Sequence, residues 1–242
     1  AKRQMVGQLY NNLVKLLEKF STDIYVKKFS DKIEVVTPTD VLPEVRQTLL
    51  DTPGIEQVLE ALQFDKMDSL EKIKVKVSEI MTHEIENKTF VIRVKRSGKH
   101  EYNSTKIEQT VGGYMLAHSS AKGVDLHNPE VTIRLELIND QLNIITLKHI
   151  GLAGFPLGTQ GDILSLMSGG FDSTIASYLT MKRGLKTHFV FFNLGGIAHE
   201  IGVKQVALYI WSKFGSSHRV KFVSVPFEPI VEEIFRSTHE TY

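Results

Sequence analysis

The sequence predicts an α/β protein, and three observations lead to that fold class. Apolar strands alternate with helices from residue 162 onward, which is typical of the parallel sheet of a doubly wound domain. The predicted order at the start of the chain, helix-strand-strand-helix-strand, is that of a ferredoxin-like α+β unit. Helices and a hairpin lie between these regions in a different order, so the 242 residues are expected to form three modules.

The composition is that of a globular protein and excludes several kinds of site. Hydrophobic residues make up 42% of the chain, charged residues 24%, and the net charge is +1. No apolar run approaches the roughly 18 residues that a membrane span needs, and the first residues lack the pattern of a secretory signal, so we expect no membrane contact and a cytoplasmic location. Because the chain has no cysteine, it can hold no disulfide, thiolate zinc site or cysteine nucleophile of its own.

The first module opens with an amphipathic helix over residues 5–20, where apolar side chains recur every three or four positions. The elements expected next are two strands, a helix and a strand, at residues 23–29, 32–37, 43–50 and 55–64. This order is a split βαβ unit without its first strand. We place the N-terminal ferredoxin-like domain, with that strand missing, at residues 1–43.

The middle module covers residues 44–148. Helices are expected at residues 69–85 and 104–121, the second capped by Ser104. A strand is expected at residues 89–94, and a hairpin joins residues 131–138 to 142–149. The segment 149–161 follows, with four glycines and one proline among its last eleven residues, which predicts a linker.

The third module, residues 162–242, contains the sequence string that most clearly indicates a ligand-binding site. A strand over 162–167 leads through Ser168-Gly169-Gly170-Phe171-Asp172-Ser173 into a helix over 172–183. Ligands of open parallel sheets bind at the carboxyl ends of strands, where a helix N-terminus offers free N–H groups and partial positive charge. The glycines let the backbone approach an anion, and the serine hydroxyls add donors. The string predicts a phosphate-binding loop; the alternative is a tight turn in which Asp172 or Ser173 only caps the helix.

The string SGGFDS resembles the PP-loop of ATP pyrophosphatases, which adenylate a substrate oxygen. Three longer segments resemble the family of bacterial tRNA 4-thiouridine synthetases, the tRNA sulfurtransferases that also serve thiamine biosynthesis: GLAGFPLGTQGDILSLMSGGFDS, FFNLGGIAHEIGVKQVA and FGSSHRV. The resemblance implies that residues 44–148 form a THUMP RNA-binding domain. It also implies that residues 162–242 form a truncated PP-loop domain, with the doubly wound fold of the adenine nucleotide alpha hydrolases.

The activity that the resemblance implies is ATP-dependent thiolation of tRNA, a transferase reaction. A carbonyl oxygen of a uridine, expected to be uridine 8, attacks the α-phosphate of ATP and releases pyrophosphate, and a persulfide sulfur then replaces the adenylated oxygen to give 4-thiouridine. The implied partners are tRNA, a cysteine desulfurase that donates the persulfide, and a second copy of the chain in a homodimer. Sulfur supply for the thiamine thiazole is a further implied role. Because the family's catalytic cysteines are absent, we expect a fragment that performs no sulfur transfer alone.

The resemblance also implies which residues bind ATP. The backbone of Leu166 and Met167 would contact the adenine, and residues 168–173 would surround the phosphates. Phe191 and Phe192, at the end of the next strand, would contact the nucleotide from the side. Asp172 is the implied catalytic residue. It would act through Mg²⁺, because an isolated carboxylate beside phosphates needs a bridging cation.

A cationic cluster in the middle module is the candidate RNA-binding surface. Its members, opposed only by Glu101 within residues 93–106, are Arg93, Lys95, Arg96, Lys99 and Lys106. Such a cluster is often an ordinary solvated surface, but the resemblance to THUMP sequences favours phosphate binding. Lys122 and Arg134 are further candidates whose direction the sequence leaves open.

Two other interpretations stay open. One is another PP-loop tRNA-modifying enzyme, because such enzymes share SGG-x-DS. These enzymes generally lack the THUMP-like module, which counts against this interpretation. The other is a non-catalytic RNA-binding module with a degraded nucleotide fold. ATP binding or pyrophosphate release distinguishes them.

Overall fold

The structure is a computed structural model that describes residues 2–30, 32–98 and 101–238. Its α-helices are α1 (Lys2–Leu17), α2 (Leu42–Leu50), α3 (Leu70–Met81), α4 (Ser104–Ala117), α5 (Phe171–Lys182), α6 (Gly196–Ile210) and α7 (Glu228–Ser237). Its strands are β1 (Tyr25–Lys28), β2 (Ile33–Val36), β3 (Gln57–Phe64), β4 (Thr89–Ser97), β5 (Gly123–Val124), β6 (Val131–Ile138), β7 (Gln141–Ile150), β8 (Asp162–Leu166), β9 (Lys186–Asn193) and β10 (Phe222–Pro226). The predicted α/β class is confirmed. No described helix has the length and hydropathy of a membrane span.

The chain divides into two compact units, which differ from the predicted domains. One consists of Ala1–Val58 with His149–Tyr242, and the other of Leu59–Lys148. Helix α2, predicted to begin the middle domain, belongs to the first unit because Val45 packs into one core with Leu13 and Leu17 of α1. Strands β1 and β2 form a two-stranded antiparallel sheet by themselves.

Strand β3 does not complete the predicted split βαβ unit. It pairs instead with β7, in a five-stranded sheet of order β3-β7-β6-β4-β5. Phe64, at the end of β3, packs against the core of the second unit, which favours the pairing with β7. The other side chains of β3 are exposed or only partly buried.

Helices α3 and α4 cover one face of the five-stranded sheet. Alternate residues of β4 and β6, such as Phe90 and Ile133, form a fully buried core with Val77 of α3 and Val111 of α4. The expected cap of α4 is wrong by one residue. The side chain of Asn103, not Ser104, accepts the hydrogen bond from the Lys106 N–H, at 2.7 Å.

Residues 162–238 contain a three-stranded parallel sheet of order β10-β9-β8. Met181 of α5 and Val203 of α6 share one core with Phe189 of β9, so both helices cover the same face. Two right-handed crossovers that step in the same direction along a sheet give this arrangement. The expected cover on both faces is therefore not seen in the described residues, since Leu164 and Leu166 on the other face are each 63% exposed.

The segment predicted as a linker, residues 149–161, is a packed part of the first unit. Gly54 and Ala153 are joined by a hydrogen bond of 2.8 Å from the Gly54 N–H, and Leu157 is only 2% exposed. Gly154 has a φ of +79°, and a Cβ atom there would lie 2.0 Å from the Lys182 carbonyl oxygen. Glycine therefore permits close approach of the backbone here, and the segment is not a linker.

Candidate functional site

The loop between β8 and α5 lies at the carboxyl end of the parallel strands, the edge at which such sheets bind ligands. Gly169 in this loop has a φ of +83°, and a Cβ atom there would lie 3.1 Å from Cγ2 of Val203 in α6. Both the backbone conformation and the contact with α6 therefore favour glycine at this position.

The N-terminus of α5 has no side-chain cap. Gly170 is its N-cap residue, so Asp172 and Ser173 lie within the first turn and the capping alternative is wrong. The Ser173 hydroxyl instead accepts a hydrogen bond from the Ser168 N–H at 3.2 Å and lies 3.2 Å from the Ser168 hydroxyl. Helix α3, by contrast, is capped by Ser69. The first turn of α5 thus keeps N–H groups for an external anion.

Asp172 and Phe171 stand at the surface of this loop. The Phe171 side chain is 88% exposed, and the Asp172 carboxylate has no ion pair with any described residue. No three His, Asp or Glu side chains in the described part of the chain converge into a metal site. A single free carboxylate beside a phosphate loop still fits Mg²⁺, which is commonly held by one or two carboxylates together with substrate phosphates.

The predicted adenine-contacting residues differ in accessibility. Leu166 is exposed, whereas the Met167 side chain is buried and its N–H donates to the Val190 carbonyl at 2.8 Å. The Phe191 side chain is 2% exposed and packs in the core, edge-on to the His199 ring at 5.0 Å. Phe192 points to the other face of the sheet, against Phe227. The Phe191 ring therefore has a packing role, and only its backbone is left to meet a ligand.

The turn between β9 and α6 holds polar residues that the sequence analysis did not single out. The Asn193 side chain accepts from the Gly195 N–H at 3.2 Å and donates to Glu200 at 3.2 Å. Glu200 also pairs with Lys204, which lowers the pKa of the Glu200 carboxyl, with help from Ser224 and Asn193. This network fixes the turn beside the loop that carries Gly169. The Asn-x-Gly-Gly string after an apolar strand was the signal that could have revealed it.

The structure separates the predicted RNA-binding cluster. Arg93 and Lys95 are exposed on the sheet face away from the helices, by their alternation with buried residues of β4. The Arg96 guanidinium is engaged elsewhere, donating to the Tyr102 carbonyl at 2.6 Å and to Ser104 Oγ at 3.1 Å. Lys106 is exposed in the first turn of α4, and Lys99 lies outside the described residues.

The two further candidates also differ. Lys122 lies 3.7 Å from Glu130 in an ion pair. Arg134 of β6 is exposed and lies in register with Arg93 of β4. The alternation of Ile133, Leu135 and Leu137 could have shown that Arg134 faces away from the core. Its position beside Arg93 could not be predicted from the sequence, because the two paired residues are 41 positions apart along the chain.

Comparison with known proteins gives two family matches. Residues 68–147 match the THUMP domain, and residues 158–242 match the family described as thiamine biosynthesis protein. A tRNA sulfurtransferase of Vibrio vulnificus is 48% identical over 240 residues, which are 99% of this chain and 50% of that protein. One of Colwellia psychrerythraea is 46% identical over 244 residues, with the same coverage of 99% and 50%. The chain thus spans about half the length of the curated relatives it matches.

Two crystal structures share the fold. One is a complex of a 4-thiouridine synthetase and RNA with bound ATP; it matches with a TM-score of 0.80 and 20% identity over 99% of this chain and 61% of that chain. A Pyrococcus horikoshii protein matches with a TM-score of 0.78 and 23% identity, over 98% of this chain and 80% of that chain.

Proposed function

Since this chain is related to the tRNA sulfurtransferases over 99% of its length, we propose that it forms the ATP-binding and RNA-binding part of an enzyme that thiolates tRNA. The observation that carries the proposal is the N-terminus of α5, which lies within the string SGGFDS and has no side-chain cap. The proposed product is 4-thiouridine at uridine 8, formed in the cytoplasm by a homodimer with persulfide from a cysteine desulfurase. Sulfur supply for the thiamine thiazole is part of the same proposal.

The loop of residues 168–173 would hold the phosphates of ATP. Its support is geometric: first-turn N–H groups point out of α5, and the Ser168 and Ser173 hydroxyls lie together at 3.2 Å. Backbone donors of this kind need no reorganisation when charge develops on the phosphates. The adenine would lie along Leu166 and Met167, with Phe191 and Phe192 at the neighbouring strand.

Asp172 is the proposed catalytic residue. Its free carboxylate stands where the phosphates would bind, and Mg²⁺ held there would offset the repulsion between the two. When bound, this ion supplies positive charge to the phosphate oxygens. Asp172 would thereby keep the α-phosphate in position for attack by the uridine oxygen.

The proposed reaction has two steps. The uridine carbonyl oxygen forms a bond to the α-phosphorus while the bond to pyrophosphate breaks, so the oxygen becomes part of an AMP leaving group. In the second step the terminal persulfide sulfur attacks the activated carbon as AMP leaves, and a further thiol attacks the S–S bond of the adduct, which leaves 4-thiouridine and a disulfide. Because these 242 residues contain no cysteine, the thiol that carries this sulfur has to lie outside them.

The THUMP match is what favours tRNA thiolation over other PP-loop reactions. It covers residues 68–147, whereas the competing PP-loop enzymes generally lack such a module. Arg93 and Lys95 are the exposed cations of the proposed RNA-binding surface on the five-stranded sheet. Phosphate contacts of this kind position an RNA rather than read its sequence.

The test is binding of ATP and tRNA by the natural-length protein, followed by release of pyrophosphate. We expect pyrophosphate release that depends on tRNA. Binding of tRNA without any hydrolysis of ATP would favour the non-catalytic RNA-binding module. Hydrolysis of ATP at a rate that does not depend on tRNA would favour a PP-loop enzyme with another substrate.

A further inference from the structure

Two arginines lie side by side on the five-stranded sheet. Arg93 of β4 and Arg134 of β6 are direct partners in the parallel register. Neighbouring strands are separated by about 4.8 Å, so the two side chains leave the sheet at about that spacing.

Both side chains leave the sheet on the face away from α3 and α4. The register pairs on either side of them, Ile92 with Ile133 and Val94 with Leu135, belong to the core under those helices. Since successive residues of a strand alternate between faces, Arg93 and Arg134 point the other way, and both are exposed.

The charges of this pair are poorly balanced within the described residues. Arg93 donates to the Leu126 carbonyl at 2.9 Å, which fixes its guanidinium but supplies no negative charge. The Arg134 side chain has no hydrogen bond or ion pair to any described residue. The nearest acidic position on the same face of β6 is Glu136, which lies in register with Lys95. Like charges directly opposite each other on a sheet are destabilising, so the fold alone gives no reason for this pair.

We propose that Arg93 and Arg134 together bind one phosphate of the RNA backbone, which makes Arg134 an RNA-binding residue. The inference rests on the proposed function and adds a site to it. Two guanidinium forks on one side of a rigid sheet match the oxygens of a phosphodiester, and the bound phosphate neutralises the repulsion. Lys95 lies two residues beyond Arg93 on the same face of β4 but opposite Glu136, so the proposed site consists of the two arginines alone.

The first measurement is tRNA affinity of the natural-length protein at several salt concentrations. We expect Arg134→Ala to weaken binding about tenfold at low salt. The slope of log K against log salt should fall by roughly 0.7 to 0.9. The matched control is Lys72→Ala, which removes one positive charge from α3, on the opposite side of the sheet, and should change neither quantity.

The second measurement is the melting temperature without RNA. Removing one of two repelling arginines should leave Tm unchanged or raise it by about 1 to 4 °C. A residue that only supports the fold would lower Tm when it is truncated. Loss of RNA affinity together with an undiminished Tm is therefore the signature of a binding site.

A double variant tests whether the two arginines share one phosphate. The variant with both Arg93→Ala and Arg134→Ala should raise log Kd by less than the sum of the two single increases. The reason is that the first substitution already weakens the binding of the phosphate that both arginines contact. Wild-type affinity and slope in Arg134→Ala would overturn the inference while leaving the proposed function intact. A wild-type protein that binds no tRNA would overturn both.

Discussion

At the level of single residues, Gly169 is the position where the loop geometry is most demanding. Alanine there must adopt a φ of +83° and meet Val203 at 3.1 Å, so we expect Gly169→Ala to abolish measurable ATP binding. The cost in stability should be about 1 to 2 kcal/mol from the backbone conformation. Gly161→Ala is the matched control, because Gly161 has a φ of +87° but no atom within 4 Å of an added Cβ. ATP binding is measured by equilibrium titration; equal ATP affinity in both variants would contradict this account of the loop.

Arg96 separates structural cations from RNA-binding ones. Arg96→Ala loses the hydrogen bonds to Tyr102 and Ser104, so we expect the free energy of unfolding to drop by about 1 to 3 kcal/mol. Lys95→Ala should instead lower the salt slope of tRNA binding by roughly 0.7 to 0.9. Urea unfolding and salt-dependent binding distinguish the two. A reduced slope for Arg96→Ala, with stability unchanged, would reverse these assignments.

At the level of elements, local patterns were sufficient for most helices and strands. The spacing of Leu13 and Leu17 predicted α1, and the alternation around Ile133 predicted β6, because each pattern reflects burial of one face. The string SGGFDS could be predicted to form a loop for the same reason: it lies between an apolar strand and a helix, and both have local patterns. Pairing between distant elements was not readable. Neither the partner of β3 nor the neighbour of Arg134 follows from local periodicity, since both depend on sheet register.

The turn between α6 and β10 should make stability depend on pH. Burial lowers the pKa of His218, with further lowering by Lys15 and Lys186 and a smaller opposing effect of Asp162. The unfolded chain therefore takes up a proton more readily than the folded one, and stability is lost as pH falls below about 6.5. Trp211, the one tryptophan in the sequence, donates to the His218 carbonyl at 2.9 Å and reports this region by fluorescence.

The variant that checks this is His218→Gln, melted between about pH 7.5 and pH 5.5. We expect the wild-type Tm to decline on acidification and the variant to lose part of that decline. An identical decline in both proteins would show that other groups govern the acid sensitivity.

For the molecule as a whole, the absence of cysteine limits the chemistry that these 242 residues can perform. No side chain among them can carry persulfide sulfur. We expect a polypeptide of residues 1–242 to form no 4-thiouridine when given ATP, tRNA and a persulfide donor. Mass spectrometry of the digested tRNA, with the natural-length protein as the active control, decides this. Thiolated nucleoside from residues 1–242 alone would overturn the proposed second step.

If the loop of residues 168–173 activates tRNA with ATP, AMP is transferred to the tRNA, and this transfer can be measured without the sulfur step. The natural-length protein is incubated with tRNA and ATP labelled at the α-phosphate, with no sulfur donor present. We expect labelled tRNA and released pyrophosphate in the wild type and in the control Asp162→Asn, whose carboxylate lies at the opposite end of β8. We expect neither product in Asp172→Asn, although that variant should bind tRNA normally. Undiminished labelling and pyrophosphate release by Asp172→Asn, or no labelled tRNA in the wild type, would show that this loop does not activate tRNA.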